Sequence, residues 1–275
     1  MSSELRLFQS ESPVLIGMLH LSALSGSPRY GHDMSAVRDR LMADVEALIS
    51  GGITWLMLEN FGDVPFFPGT VPATTVAAMT ALAAEVRIKF PEARLGLNVL
   101  RNDGCSALSI AHAVGGSFVR VNVLCGARVT DQGLVQGIAH DLMRLRASLQ
   151  ATSIAVLADV DVKHSAPLAG RNHADEVHDA IARGLADAVI VSGSATGSPV
   201  NEQRLAETAA AAGNTPVLIG SGATAESLPQ LAKFADGMIV GTAIKHDGHV
   251  LAPVDPERVR RLVAVAASCP QRKRS

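Results

Sequence analysis

A lysine that follows two aspartates is the clearest sign of chemistry in the sequence. Asp159, Asp161 and Lys163 alternate along one predicted strand, and His164 comes directly after them. Because side chains alternate across an extended strand, the three alternating residues face the same way if the strand stays extended. We predict that all three are catalytic, with Lys163 as a general acid or as a group that neutralises developing negative charge. Schiff-base chemistry would need a lowered pKa at Lys163. Two nearby aspartates would raise that pKa, so covalent chemistry ranks lower.

The same segment offers an alternative in which it binds a metal ion. Asp159, Asp161 and His164 supply two carboxylates and an imidazole, and such groups can hold a divalent cation when their ligating atoms converge. Convergence depends on the fold, so a divalent metal stays an alternative. The sequence indicates no other cofactor.

Polar residues also occur in or at the ends of other apolar segments. His20 and Glu59 are further acid–base candidates, although His20 alone is equally consistent with a structural histidine. Asn98, Arg120 and Asn122 are predicted to bind substrate, and the alternative for the two asparagines is that they only fix loops. Arg120 needs a buried partner, and the sequence offers Glu59, in which case the pair would be structural. We expect a site because more strands end in ionisable or amide groups than packing requires.

Glycine-containing turns late in the chain predict a phosphate site. Gly220-Ser221-Gly222 precedes a short predicted helix at 225–234, Gly241-Thr242 follows the last predicted strand, and Gly193-Ser194 follows the sixth. Glycine lets backbone N–H groups approach an anion closely, and a helix N-terminus adds partial positive charge. The alternative is that these glycines only form tight turns. The predicted partner is a phosphorylated small molecule.

The elements that must position these residues alternate between short apolar strands and longer helical segments. The predicted strands cover residues 14–20, 53–59, 94–100, 117–123, 153–160, 186–191, 216–219 and 237–240. Each is followed by a predicted helix, and the fourth helix, at 134–149, comes after a long loop at 124–133. Eight strand–helix units favour a parallel α/β barrel of the (β/α)8 (TIM) type over an open doubly wound sheet. Function in such barrels lies where the strands run into the following loops.

Length and composition agree with one such barrel and exclude other classes of protein. The 275 residues are predicted to form a single domain, 1–275, with a basic, solvated tail at about 270–275 that contains Arg272-Lys273-Arg274. A net charge of −2 without a basic face argues against nucleic-acid binding. The three cysteines fit no disulfide framework or zinc motif, which is typical of a cytoplasmic protein. No segment is long and apolar enough for an integral membrane span, and a homo-oligomer is possible.

Ordered motifs along nearly the whole chain resemble the BtpA/SgcQ family. The motifs are 16–20, 26–28, 59–63, 98–103, 120–123, 131–133, 159–164, 220–222, 245–248 and 253–255. The resemblance implies a barrel of the ribulose-phosphate-binding type. It implies no agreed reaction, since family members in photosynthetic bacteria are associated with photosystem I biogenesis and others belong to organisms without photosystems. Ser22-Ala23-Leu24-Ser25 departs from the family's Pro-rich stretch, so the shape of the first loop does not carry over.

The sequence is compatible with two main functions. The first is an enzyme that acts on a phosphorylated sugar or nucleotide-like metabolite by lyase, isomerase or glycosidic-bond chemistry. The second is a non-catalytic assembly factor for a membrane complex such as photosystem I. A sensor that binds a metabolite without turning it over is a third possibility. The polar barrel mouth favours the enzyme, because a scaffold needs no convergent carboxylates and lysine.

Overall fold

Eight parallel strands form a closed barrel in the computed structural model, which describes residues 10–193 and 200–273 apart from the side chain of Asp161. The strands of these residues are β1 (Val14–His20), β2 (Trp55–Glu59), β3 (Arg94–Asn98), β4 (Phe118–Val121), β5 (Ala127–Thr130), β6 (Gly133–Gln136), β7 (Ala155–Asp161), β8 (Ser165–Pro167), β9 (Ala188–Val191), β10 (Val217–Ile219) and β11 (Gly237–Val240). The barrel order is β1-β11-β10-β9-β7-β4-β3-β2. The predicted (β/α)8 barrel is therefore confirmed, and the open sheet is excluded.

Helices connect successive barrel strands. They are α1 (Met34–Ser50), α2 (Ala73–Lys89), α3 (Gly104–Val114), α4 (Ala139–Ser148), α5 (His173–His178), α6 (Glu202–Ala212), α7 (Leu228–Leu231) and α8 (Pro256–Ala267). Side-chain caps fix several helix starts, because the first N–H groups of a helix lack partners within it. Asp33 accepts from the N–H of Ala36 at 3.0 Å, and Asp103 accepts from the N–H of Ser106 at 3.0 Å. Within the described ranges, no helix combines the length and apolarity needed to cross a membrane.

Apolar side chains fill both sides of the barrel wall. One cluster lies inside the barrel and includes Ile16, Met57 and Phe118, while a larger one packs the outer faces of the strands against the helices. Phe118 is fully buried, and a Cβ on Gly96 would lie 2.0 Å from its ring. Glycine at position 96 therefore makes room for the largest fully buried side chain of the barrel interior.

A small antiparallel sheet, β6-β5-β8, replaces the loop that was predicted at 124–133. The predicted start of the fourth helix was wrong as well, because Gly133–Gln136 is a strand and α4 begins at Ala139. Gly133, with a φ of 92°, closes the turn between β5 and β6. Val135 is buried against Val123 and Val162, so its neighbours in the strand face outwards. The alternation of buried and exposed residues is that of a strand.

The basic end of the chain is anchored in part, contrary to the predicted solvated tail. Arg272 is buried, and its Nη2 donates to the carbonyl oxygen of Gly213 at 2.7 Å. Its Nε lies 3.5 Å from the Asp236 carboxylate, which also accepts from the N–H of Val217. Arg272 thus joins the C-terminus to the segment before β10.

Candidate functional site

A cavity of about 450 Å³ opens where the barrel strands end. It brings together many of the residues that the sequence indicated. Those that line it are His20, Glu59, Arg120, Lys163, Gly220, Ser221, Gly222, Gly241 and Thr242. Asn98, Asn122, Asp159 and Gly193 are buried near it without lining it, and Ser194 lies outside the described residues. The ionisable groups and the glycine turns therefore share one cavity.

Arg120 lines this cavity and forms a buried ion pair with Asp159. The Arg120 Nε and Nη2 atoms donate to Oδ2 and Oδ1 of Asp159 at 2.9 and 2.8 Å. The two side chains are only 4% and 0% exposed. Such a two-point contact fixes the guanidinium plane as well as its charge. The partner of Arg120 is therefore Asp159, and the predicted pairing with Glu59 was wrong.

Amide and hydroxyl groups complete the surroundings of the Asp159 carboxylate. Asn122 Nδ2 donates to Oδ2 at 3.0 Å, and Ser192 Oγ donates to Oδ1 at 3.3 Å. Asn98 Nδ2 in turn donates to Asn122 Oδ1 and to the Arg120 carbonyl oxygen at 3.2 and 3.1 Å. Asn98 and Asn122 thus hold the ion pair in place. The geometry makes Asp159 a fixed partner of Arg120, with both oxygens already accepting hydrogen bonds.

The hydrogen bonds to the Asp159 carboxylate also argue against the alternative of a metal site. Both Asp159 oxygens face N–H and O–H donors, which a cation would have to displace. His164 is exposed and follows the end of β7 with a φ of 53°. Among the described residues, no three His, Cys, Asp or Glu side chains are grouped so as to hold a metal ion. Asp159 therefore fits an ion pair better than a metal ligand.

His20 and Glu59 face each other at the ends of neighbouring strands β1 and β2. Their side chains are almost fully buried, with 3.7 Å between His20 Nε2 and Glu59 Oε1, and Phe61 stacks on the imidazole at 4.5 Å between ring centroids. Burial, Lys245 and Lys163 lower the pKa of His20 to about 3. Burial also raises the pKa of Glu59, against the opposing charges of Arg120 and Lys163. His20 is therefore a neutral imidazole near pH 7, and Glu59 takes up a proton more readily than an ordinary glutamate.

Lys163 lies just after β7 and is largely buried at the cavity wall. Burial and the charge of Arg120 lower its pKa to about 8, although Glu59 and Asp159 oppose the shift. Arg101 Nη2 donates to the Lys163 carbonyl oxygen at 2.5 Å and so fixes the backbone here. Asp159 raises the Lys163 pKa as expected, but the net shift is downward, because desolvation dominates when an amine leaves water.

The regular alternation predicted for this strand is interrupted. Asp159 pairs with Ile190 and Asp161 pairs with Val191, so two residues of β7 match one step of β9. This irregularity, a bulge, re-aims the residues that follow it. The backbone after Asp159 therefore departs from a regular extended strand, and the side chain of Asp161 lies outside the described structure.

The loops after β10 and β11 form another part of the cavity wall, which we call the glycine wall (residues 220–225 and 241–244). A Cβ on Gly220 would lie 2.3 Å from Ser192 Oγ, and one on Gly241 would lie 2.9 Å from His20 Cε1. Glycine at these two positions therefore lets the backbone approach the cavity closely. The N–H groups of Gly222 and Ala223 form no hydrogen bond with any described residue, which leaves them free for an anion.

The helix predicted to follow the glycine turn is shorter than expected. It begins at Leu228 instead of Ala225 and has four residues. The segment before it is a turn in which Ser227 Oγ accepts from the N–H of Thr224 at 3.0 Å. Any anion at the glycine wall would thus be bound mainly by loop N–H groups rather than by a helix dipole.

Residues 11–268 match the model of the BtpA family. The chain belongs to the BtpA family. It is 45% identical over 260 residues to the photosystem I biogenesis protein BtpA of Synechocystis, covering 94% of this chain and 90% of that protein. It is 48% identical over 258 residues to an uncharacterized protein of Thermococcus kodakarensis, covering 93% and 96%. The solved thiamine phosphate pyrophosphorylase of Pyrococcus furiosus shares the fold, with a TM-score of 0.54 at 13% identity over 94% of this chain and 96% of that chain.

Several residues of the BtpA-family motifs hold loops rather than line the cavity. Asn60 Oδ1 accepts from the N–H of Leu100 at 2.8 Å, and Asp63 Oδ1 accepts from the N–H of Leu24 at 2.7 Å. Asn102 binds the backbone of Val123 through both ends of its amide. These contacts connect the loops after β1, β2, β3 and β4. Several of the motif residues therefore stabilise the loops at the barrel mouth.

Two arginines that line the cavity were not predicted from the sequence. Arg258 and Arg261 of α8 border the cavity beside the glycine wall. Their Nε and Nη2 atoms lie 3.5 Å from Asp255 and 2.7 Å from Glu226, respectively. Arginines three apart near a helix start are common on solvent-exposed faces, so no sequence signal separated them from surface charge.

Proposed function

We propose that this BtpA-family chain is an enzyme that acts on a phosphorylated small molecule, either a sugar phosphate or a nucleotide-like metabolite. One observation carries the proposal. A single cavity connects the glycine wall with Glu59, Arg120 and Lys163. The glycine wall would bind the phosphate group, as loops after the last two strands commonly do in such barrels. The remainder of the substrate would then lie against the ionisable side chains.

The charges of the site suggest a role for each group. Arg120 keeps its positive charge and would stabilise negative charge that develops on the substrate. Glu59, with its raised pKa, is the best-placed group to give and take a proton. His20, with a pKa of about 3, is a weak base and suits a neutral hydrogen-bonding role. Lyase, isomerase and glycosidic-bond chemistry are all compatible with this set.

The fold likeness to thiamine phosphate pyrophosphorylase agrees with the proposal without carrying it. That protein's name refers to a phosphorylated compound, and its chain follows the same barrel path. At 13% identity the likeness concerns the fold alone. The support for phosphate binding comes from the free N–H groups and close-packed glycines of this chain.

Ligand-dependent stabilisation tests the proposal. Ribose 5-phosphate, a nucleoside monophosphate and inorganic phosphate should each raise the melting temperature, and ribose should not. A ligand at a hundred times its Kd adds about 2.7 kcal/mol to the free energy of unfolding. Absence of a shift with every phosphorylated compound would refute phosphate binding.

A charge placed at the glycine wall makes the test specific. In Thr242→Asp a carboxylate would repel the bound phosphate, so we expect its Kd to rise by about tenfold or more, since each 1.4 kcal/mol is a factor of ten. Thr152→Asp adds the same charge at an exposed position before β7, at the other end of the barrel, and should leave the Kd unchanged. Equal effects of the two variants would show that the glycine wall is not the binding site.

A second candidate function is assembly of a membrane complex, and the name of the Synechocystis relative favours it. A Synechocystis strain that lacks BtpA, supplied with this chain, would show whether the chain restores the photosystem I level. The Thr242→Asp variant would then separate the two candidates. Restoration by the variant that no longer binds phosphate would favour assembly independent of the cavity, whereas loss of restoration would link that role to ligand binding.

A further inference from the structure

Lys163 differs from the other lysines of the chain in its surroundings. The sequence has five lysines. Lys89, Lys233 and Lys245 each donate a hydrogen bond from Nζ to a side-chain oxygen, at 2.5, 2.6 and 3.0 Å, and Lys273 is close to the chain end. The Nζ of Lys163 forms no hydrogen bond or ion pair with any side chain that the structure describes, and it lines the cavity. It is therefore an amine available to a ligand.

The charged groups around Lys163 have opposing effects on its pKa. Arg120 and Arg101 disfavour its protonated form, and Glu59 and Asp159 favour it. The Asp159 charge is largely taken up by its two short contacts with Arg120. Burial has the largest effect and, with Arg120, lowers the pKa of Lys163 to about 8, so a larger fraction of this amine is neutral near pH 7 than in an exposed lysine. A neutral amine has the free electron pair that a nucleophile needs.

The acid that amine chemistry requires lies in the same cavity. Glu59 lines the cavity together with Lys163, and its burial favours the protonated carboxyl group. In the same cavity, the glycine wall would hold a phosphate group and so keep the rest of the ligand near the amine. Holding two reacting groups together in this way accelerates bond formation strongly.

We propose that Lys163 forms an imine with the carbonyl carbon of a phosphorylated aldehyde or ketone. The inference rests on the proposed function and narrows its substrate class to phosphorylated carbonyl compounds. It favours reactions that pass through an imine, namely cleavage or formation of the bond next to the carbonyl carbon, or proton transfer at that position.

The step balances without an oxidant or reductant. The Nζ electron pair attacks the carbonyl carbon, and one amine proton moves to the carbonyl oxygen, which gives a carbinolamine. Glu59 then donates a proton to the hydroxyl group, water leaves, and a protonated C=N bond remains beside the Glu59 carboxylate. This bond accepts the electron pair released when an adjacent C–C or C–H bond breaks. Attack by water later restores the free amine and a carbonyl product.

Reductive trapping tests the proposal on the full chain. Glyceraldehyde 3-phosphate and dihydroxyacetone phosphate are the probes, each added with sodium borohydride, and the adducts are mapped by peptide mass spectrometry. We expect a stable secondary amine at Lys163 with at least one probe. Unphosphorylated glyceraldehyde should give about tenfold less adduct, because nothing holds it beside the amine. Free inorganic phosphate should compete with the phosphorylated probes.

Two variants and one separate measurement make the outcome decisive. Lys163→Arg should lose the adduct while unfolding as cooperatively as the parent chain, and Lys233→Arg, an exposed position, should keep it. No adduct at Lys163, or equal labelling of all five lysines, would overturn the imine proposal. Binding of inorganic phosphate to the parent chain is measured in parallel. If phosphate binds and no adduct forms, only the imine proposal fails; if neither is seen, the proposed function fails with it.

Discussion

Replacement of Asp159 by asparagine is the sharpest test of how the site is held together. The Asp159 carboxylate accepts from two N–H groups of Arg120, at 2.9 and 2.8 Å, with both side chains shielded from water. In Asp159→Asn one acceptor oxygen becomes an NH2 donor that faces a guanidinium N–H, and the buried positive charge loses its counterion. Removing one partner of a buried ion pair costs about 3–5 kcal/mol of unfolding free energy.

The expected change in melting temperature is large enough for a clear reading. In a protein of about this size each kcal/mol lowers the melting temperature by about 2–4 °C, so Asp159→Asn should lower it by about 10 °C. The matched control is Asp39→Asn, which removes the same charge from the Arg38–Asp39 pair, also 2.9 Å long, with side chains 48% and 67% exposed. Exposed pairs contribute little, so the control should unfold like the parent chain.

The assay is thermal unfolding followed by circular dichroism, with denaturant unfolding to obtain the free energies. A decrease for Asp159→Asn as small as that for Asp39→Asn would refute the view that Asp159 stabilises the buried Arg120. Retention of full stability together with loss of ligand turnover would instead return Asp159 to the catalytic role that the sequence suggested.

Three further predictions concern the titration of Lys163 and the packing at Gly96. Because the pKa of Lys163 is about 8, borohydride trapping should increase with pH up to about 8 and then level off; a rate independent of pH between 6 and 8 would contradict a titrating amine. The same lowered pKa means that the unfolded chain binds more protons between pH 8 and 10.5, so the contribution of Lys163 to stability rises with pH in that window. Gly96→Ala should cost about 1–3 kcal/mol by forcing the buried Phe118 ring to move. Gly31→Ala, where a Cβ meets no atom within 4 Å, is the control in denaturant unfolding, and equal stabilities would contradict tight packing at Gly96.

The barrel could be predicted because its signal is local. Each strand is a short apolar run that is buried on both faces, such as Val14–His20, and each run is followed by a segment of helical composition. The small sheet over the barrel mouth was missed for a related reason. Its strands have only three or four residues, and Val135 is the buried residue of β6, so the alternation is too short to separate from a loop.

Most of the predicted site residues lie close together, but their order along the chain did not show which of them contact each other. Arg120 has Asp159 as its partner because β4 and β7 are neighbours in the barrel, although the inserted strands β5 and β6 separate them in sequence. The bulge between Asp159 and Asp161 depends on pairing with β9, which the sequence of β7 alone does not show. The positions of these residues at the strand ends predicted which of them lie near the cavity. Which of them form contacts depends on the order of the strands in the barrel.

The electrostatics of the site was the hardest part to predict, since it depends on burial rather than on residue type. A lysine near carboxylates suggests a raised pKa, yet the cavity wall removes Lys163 from water and lowers it. The same removal from water raises the pKa of Glu59. One cause therefore moves a base and an acid of the same cavity toward their uncharged forms, which are the forms that imine formation uses as nucleophile and proton donor. Arg120 can remain charged in the same cavity because Asp159 supplies its buried counterion. The buried ion pair and the two shifted groups are thus parts of one arrangement, in which a fixed charge shares the cavity with an amine of lowered pKa and a carboxyl group of raised pKa.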